Sequence, residues 1–290
     1  MTQDSRGKTQ DYFSYLCGMR YFLDVAYDGT RFHGWQTQPN ALTVQEVLDD
    51  AISKVFRVPQ VESIGSGRTD TGVHAGQQWV HVDLPLVLTP EEIVYKLNRL
   101  LPPDIAVRQA KQVGPEAHTR FDAISRTYEY HITLEKNPFL VRHAYFLSRK
   151  PDVELMNLAA QALLELEDFT AFSKVKGDTK HYRCTITRAF WQEQENKLVF
   201  TIQANRFLRG MVRLIVGTLL DVGKGKLSVN RFREIIEKQD RSLSSGAAPS
   251  EGLFLHRVDY PEGYFDQQQA LFDQEAERLQ ALEALPNQEE

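Results

Sequence analysis

Two cysteines in 290 residues, Cys17 and Cys184, are too few and too far apart for a disulfide framework, and neither belongs to a C-x-x-C pair that could hold zinc. Long apolar runs are missing as well. Arg209, Arg213 and Asp221 break up the longest one, so no segment has the length of a membrane span and no membrane partner is expected. Residues Met1 to Lys8 contain no apolar signal core, which fits a reducing cytoplasm. Gly223-Lys-Gly-Lys226 lacks the spacing and the Ser/Thr of a phosphate-cradling loop. His33, His74 and His81 fall in no metal-ligand pattern, so no metal site is expected.

An overall basic excess is also absent, since the net charge is −5. That total hides an uneven distribution. Residues 262–290 carry eight acids against one base, which leaves +2 on the rest of the chain. Residues 174–213 hold nine bases against three acids, a local balance of +6. Phosphate responds to a local field rather than to the chain total. Lys174, Lys176, Lys180 and Arg183 read as a solvated basic loop able to meet a polyanion.

The densest chemistry lies in Gly65-Ser-Gly-Arg-Thr-Asp-Thr-Gly-Val-His-Ala75. Apolar β-like runs flank it, so it reads as a loop between strands, where reactive groups are commonly mounted. Its single carboxylate is Asp70, with Arg68 two residues before it. Glycines at 65, 67 and 72 predict positive φ or a close backbone approach.

Around this loop the pattern predicts an α+β fold: two similar strand-and-helix halves forming a mixed, mostly antiparallel sheet with helices on one face. Strands are expected at 21–27, 105–113, 127–134, 186–192, 197–204 and 253–258. Helices are expected from Thr43, with Glu46 completing a capping box, and from Thr89-Pro90 to about Leu101. Others are expected over 152–166, 206–222 and 230–238. The division along the chain is an extension at 1–20, halves at 21–150 and 151–260, and an acidic tail at 261–290. That tail is expected to be a loose helix or disordered.

On the predicted 206–222 helix, Arg206, Arg209 and Arg213 share one face, because they stand three and four residues apart. Arg213 lies furthest into apolar sequence and requires a carboxylate. Asp221 and Asp168 are candidates. Tyr128 and Tyr130 alternate on one strand face and read first as core. An acid–base hydrolase built on Asp70 and His74 is a rival reading, weakened by the lack of a second acid nearby.

Gly67-Arg-Thr-Asp-Thr-Gly-Val-His-Ala75 resembles the catalytic loop of the TruA family of tRNA pseudouridine synthases. Tyr27-Asp-Gly-Thr-Arg-Phe-His-Gly-Trp-Gln36, Thr43-Val-Gln-Glu46, Arg126-Thr-Tyr-Glu-Tyr130 and Asp168-Phe-Thr-Ala-Phe172 resemble further family segments. Asn205-Arg-Phe-Leu-Arg-Gly-Met-Val-Arg213 and Glu251-Gly-Leu-Phe-Leu255 follow in the same order. The resemblance spans roughly residues 21 to 260, and Thr71 stands where the family most often has Ala. It implies a pseudouridine synthase fold and isomerisation of uridine in the anticodon stem-loop of tRNA, with tRNA as partner and a homodimer as the working form. It implies Asp70 as catalytic nucleophile, Arg213 as its counter-ion and Tyr128 stacked on the target base. Whether Asp70 attacks the sugar, attacks the base or removes a sugar proton stays open. Arg68, Arg206, Arg209, Lys174 and Lys176 are the expected RNA contacts. The isomerisation has no redox step, so no cofactor is required. A non-catalytic RNA-binding relative would have lost Asp70, Arg213 or Tyr128, and all three are present.

Overall fold

A computed structural model describes residues 18–85, 88–174 and 181–283. Cys17, Lys176 and Lys180 lie outside the described residues. The strands are β1 (Met19–Tyr27), β2 (Ile64–Gly65), β3 (His74–Leu84), β4 (Ile105–Gln112), β5 (Ser125–Thr133), β6 (Tyr145–Phe146), β7 (Ile186–Gln194), β8 (Lys197–Ala204) and β9 (Leu253–Asp259). They form one nine-stranded sheet in the order β4-β1-β3-β9-β5-β8-β7, with β2 beside β3 and β6 beside β5. β9 runs parallel to β3, and β6 parallel to β5. The other pairings are antiparallel. This is the mixed, mostly antiparallel α+β architecture expected from the sequence.

The helices are α1 (Val44–Phe56), α2 (Pro90–Leu100), α3 (Val153–Ala160), α4 (Ala162–Glu165), α5 (Met211–Gly223), α6 (Val229–Glu237) and α7 (Tyr264–Glu283). Thr43 caps α1 by accepting from the Glu46 amide, but the full reciprocal box forms instead at Thr89 and Glu92 of α2. α1 buries Val44, Leu48, Ile52 and Phe56, one stripe at helical spacing. α2 packs on β4 and against α1, while α3 packs on β7 and against α5 and α6.

Two expectations need correction. The 152–166 helix is split at Gln161 into α3 and α4. The 206–222 helix starts only at Met211, behind Gly210, whose φ of 72° is left-handed. Arg206 and Arg209 therefore sit on the segment leading into α5, and the shared face with Arg213 does not exist. The spacing of three and four was real, but the backbone turns before it can become helical. The tail, expected as a loose helix or disorder, is helical over its described part, α7. Tyr264 and Phe265 pack with Phe22, and Phe272 meets Tyr21 edge-on with ring centroids 5.6 Å apart.

Candidate active site

Residues 66–73 join β2 to β3, and their backbone is fastened at nearly every step. The Ser66 amide donates to the Trp79 carbonyl (2.7 Å), the Trp35 amide to the Thr69 carbonyl (3.3 Å) and the Gly72 amide to the Phe32 carbonyl (3.2 Å). Gln78 Nε2 donates to the Gly67 carbonyl at 2.7 Å. The hydroxyls of Tyr27 and Thr69 are hydrogen-bonded at 2.8 Å. Gly72 has φ of 74°, and a Cβ at Gly65 would collide with Gln78 and Trp35. Gly67 meets neither expectation, since the space around its Cβ position is open and its φ is ordinary. The frame holds the backbone and leaves Asp70 half-buried and Arg68 exposed.

Asp70 faces the start of α5. Arg213 Nη1 lies 3.8 Å from Asp70 Oδ2, an ion pair longer than a hydrogen bond, with the two side chains 18% and 20% exposed. The same guanidinium donates through Nε to the Ala248 carbonyl at 2.7 Å, and the Ala248 amide donates to the Arg213 carbonyl at 2.8 Å. This strap lies close because Gly217 has no side chain: a Cβ there would sit 2.0 Å from the Gly246 carbonyl oxygen. The other two candidate acids for Arg213 are engaged elsewhere. Asp221 holds Ser245 and Lys226, and Asp168 holds Thr170.

Tyr128 is buried on β5, its ring edge-on to Phe207 at 5.0 Å between centroids. Burial pushes its phenol pKa up strongly, and the nearby Asp70 charge adds to the shift. The Tyr128 hydroxyl makes no hydrogen bond among the described residues. Tyr130, by contrast, donates to the Pro249 carbonyl at 2.9 Å from a fully buried position, as a core residue does.

His74 opens β3 rather than standing in the loop. Its Nδ1 accepts from the Gly29 amide at 3.0 Å, and its Nε2 lies 3.2 Å from the Glu251 carbonyl oxygen. Burial lowers its pKa. Both nitrogens are engaged, so an Asp70–His74 acid–base pair has no geometry to work with. His74, Asp28 and His143 do come within 4.8 Å of one another, and His143 bonds Asp28 at 3.0 Å.

The basic residues divide into two sites. The Lys174 amide donates to the Arg209 carbonyl at 3.2 Å, and the Lys174 stem lies over Gly210, which puts two exposed cations on one rim. Arg206 is partly covered and pairs with His181 at 3.1 Å.

The sequence pointed to no role for Arg126. Its side chain is buried and donates to four carbonyls: Ala123 (3.0 Å), Asn205 (2.9 Å), Ser66 (3.2 Å) and Arg120 (2.5 Å). Among the described residues no carboxylate pairs with it, and burial lowers its pKa. Carbonyl partners leave no trace in a residue pattern. Tyr27 and Gln78, which hold the loop from below, were equally invisible among ordinary strand residues.

Chemically, the arrangement offers a half-exposed carboxylate facing a cation, beside a neutral buried phenol. That suits nucleophilic or general-base attack on a ligand that brings its own ring to lie by Tyr128.

Comparison with known proteins gives a consistent result. A family model described as tRNA pseudouridine synthase matches residues 25–122 and 159–261. The tRNA pseudouridine synthase A of Bacteroides thetaiotaomicron is 51% identical over 252 residues, covering 86% of this chain and 93% of the relative. That of Bacteroides fragilis is 50% identical, over 85% of this chain and 98% of the relative. The Bacillus subtilis protein of the same name is 39% identical, over 83% and 99%.

Proposed function

The chain belongs to the tRNA pseudouridine synthase family, and from that premise we propose that it isomerises uridine in the anticodon stem-loop of tRNA, with Asp70 as catalytic nucleophile. The reaction breaks the bond from C1′ to N1, turns the base, forms the bond from C1′ to C5, passes the C5 proton to a base and adds a proton at N1. Atoms and electrons balance within the nucleotide.

One observation carries this assignment: Asp70 faces Arg213 across segments 21–150 and 151–260, which are the two halves proposed to meet over the reacting base. Arg213, tied to Ala248, holds positive charge beside the carboxylate through the reaction. Tyr128 lies under the base, and its raised pKa keeps the phenol neutral and able to pass a proton late in the sequence. Exposed Arg68 fills the place left by the uridine when it leaves the stack. Lys174 and Arg209 take backbone phosphate, with Arg206 behind them; Lys176, which lies outside the described residues, belongs to the same basic run.

We extend the proposal to a homodimer working in the cytoplasm, where tRNA is, on the strength of the family resemblance. Sedimentation of the purified protein alone and with tRNA tests the dimer. The catalytic assignment is tested by incubating protein with unmodified tRNA transcript, without cofactor, and locating pseudouridine at single-nucleotide resolution. Pseudouridine in the anticodon stem-loop is the expected result, and its absence there overturns the assignment.

A further inference from the structure

Phe121 stands out on the surface beside the catalytic loop, with 74% of its area in water. A lone exposed aromatic is ordinary. Here three further features coincide. The turn that carries it is rigid: Asp122 accepts from the His118 amide (2.8 Å) and the Tyr264 hydroxyl (2.7 Å), and the Arg120 amide donates to His118 Nδ1 (3.1 Å). The ring has the Arg120 guanidinium 5.8 Å from its centroid and the tilted His118 ring at 4.2 Å, and most of its surface stays open. Finally, the turn is hung from the catalytic loop. Thr119 Oγ1 donates to the Ile64 carbonyl at 2.9 Å, and one guanidinium, that of Arg126, holds both the Arg120 and the Ser66 carbonyls.

We propose that Arg120 and Phe121 form a stacking platform for an unpaired base next to the target uridine. This inference rests on the pseudouridine synthase reading above. An RNA strand drawn out of its stack at Arg68 continues as flexible nucleotides, each carrying an aromatic face and an anionic phosphate. A fixed ring with a cation beside it answers both, and stacking of this kind tolerates any base. The ring is held in place before RNA arrives, so little side-chain order is lost on binding. Its position is continuous with the catalytic loop, which favours a nucleotide over an unrelated protein as occupant.

The test uses the full chain in an Asp70→Asn background, with anticodon stem-loop RNA carrying a fluorescent base analogue on either side of the target. Wild-type Phe121 is expected to quench one of these positions. Phe121→Ala should abolish that quench and weaken RNA binding roughly tenfold, while Phe121→Trp should retain both. With Asp70 intact, Phe121→Ala should raise KM for tRNA more than it lowers kcat. Circular dichroism checks that each variant is folded. Unchanged quench and affinity in Phe121→Ala overturn the platform, including the case where a protein partner uses this face instead. If the wild-type enzyme makes no pseudouridine, the functional reading fails on its own, and a Phe121-dependent quench would still support the platform.

Discussion

Two arginines flank the catalytic loop and do opposite things. Arg126 is buried beneath it and spends its donors on four carbonyls from three separate stretches of chain. Arg213 stands at its rim, ties itself to one carbonyl and turns Nη1 toward Asp70. A cation satisfied by backbone oxygen fixes geometry, because each carbonyl is lost to water if the cation goes. A cation facing a half-exposed carboxylate leaves that carboxylate room to react. The same side chain thus serves as fastening in one region and as field in the other.

The sharpest way to break this contrast is to remove the carboxylate. Asp70→Asn is expected to cut turnover roughly a thousandfold or more while folding and tRNA binding stay close to wild type. Single-turnover assays beside filter binding would show it, and retention of a tenth of the activity would take Asp70 out of the chemistry. On the fastening side, Arg126→Met leaves four carbonyls without their donor and is expected to cost about 3–4 kcal/mol of stability in urea unfolding. A loss below about 1 kcal/mol would mean that water replaces the guanidinium.

Arg213→Lys is smaller in effect and separates the two roles most cleanly. A lysine ammonium cannot reach the Ala248 carbonyl and Asp70 through two different nitrogens of one rigid group. The variant should fold normally yet lose about tenfold or more in kcat (~1.4 kcal/mol in barrier). Full activity with altered salt dependence would assign Arg213 to phosphate instead.

The smallest effect concerns a buried charge of the opposite sign. Asp49 accepts from the Ser63 amide at 3.2 Å just ahead of β2, and burial pushes its carboxyl up to about 7. Between the ordinary carboxylate range and pH 7 the folded chain therefore holds a proton that the unfolded chain has lost, so stability falls as pH rises through that window. Asp49→Asn should remove this loss and stabilise the protein at pH 8 by on the order of 1 kcal/mol, and by less at pH 5. Melting temperatures of both proteins at the two pH values measure it, and a gap that does not widen with pH would count against the assignment.

Most of the architecture could be read from the sequence because it follows from local pattern: β1, β5 and β8 and the apolar stripe of α1 each lie close to where the pattern put them. The candidate site loop stood out for a different reason, since Gly, Arg, Asp and His crowd into eleven residues. Legibility failed where backbone conformation decided the outcome. Arg206 and Arg209 have helical spacing, but Gly210 turns left-handed before α5 begins. His74 looked like part of the loop because the pairing of β3 with β9, which claims it for a strand, joins distant parts of the chain. Arg126 was missed because its partners are carbonyls, which every residue has.

The ninth strand sets the order in which such a chain can become an enzyme. β9 meets β3 through two residue pairs, His74 with Phe254 and Ala75 with Leu255, and meets β5 along Ser125 to Tyr130. During synthesis the strands that flank it emerge long before it does. A growing chain that already holds Asp70, Tyr128 and Arg213 still lacks the element that brings the two groups of strands into register. Until then β3 and β5 each present an unpaired edge, open to wrong partners. Closing so distant a contact is slow, so the sheet is completed late, and a chain that ends before Leu253 leaves both of these strand edges without β9.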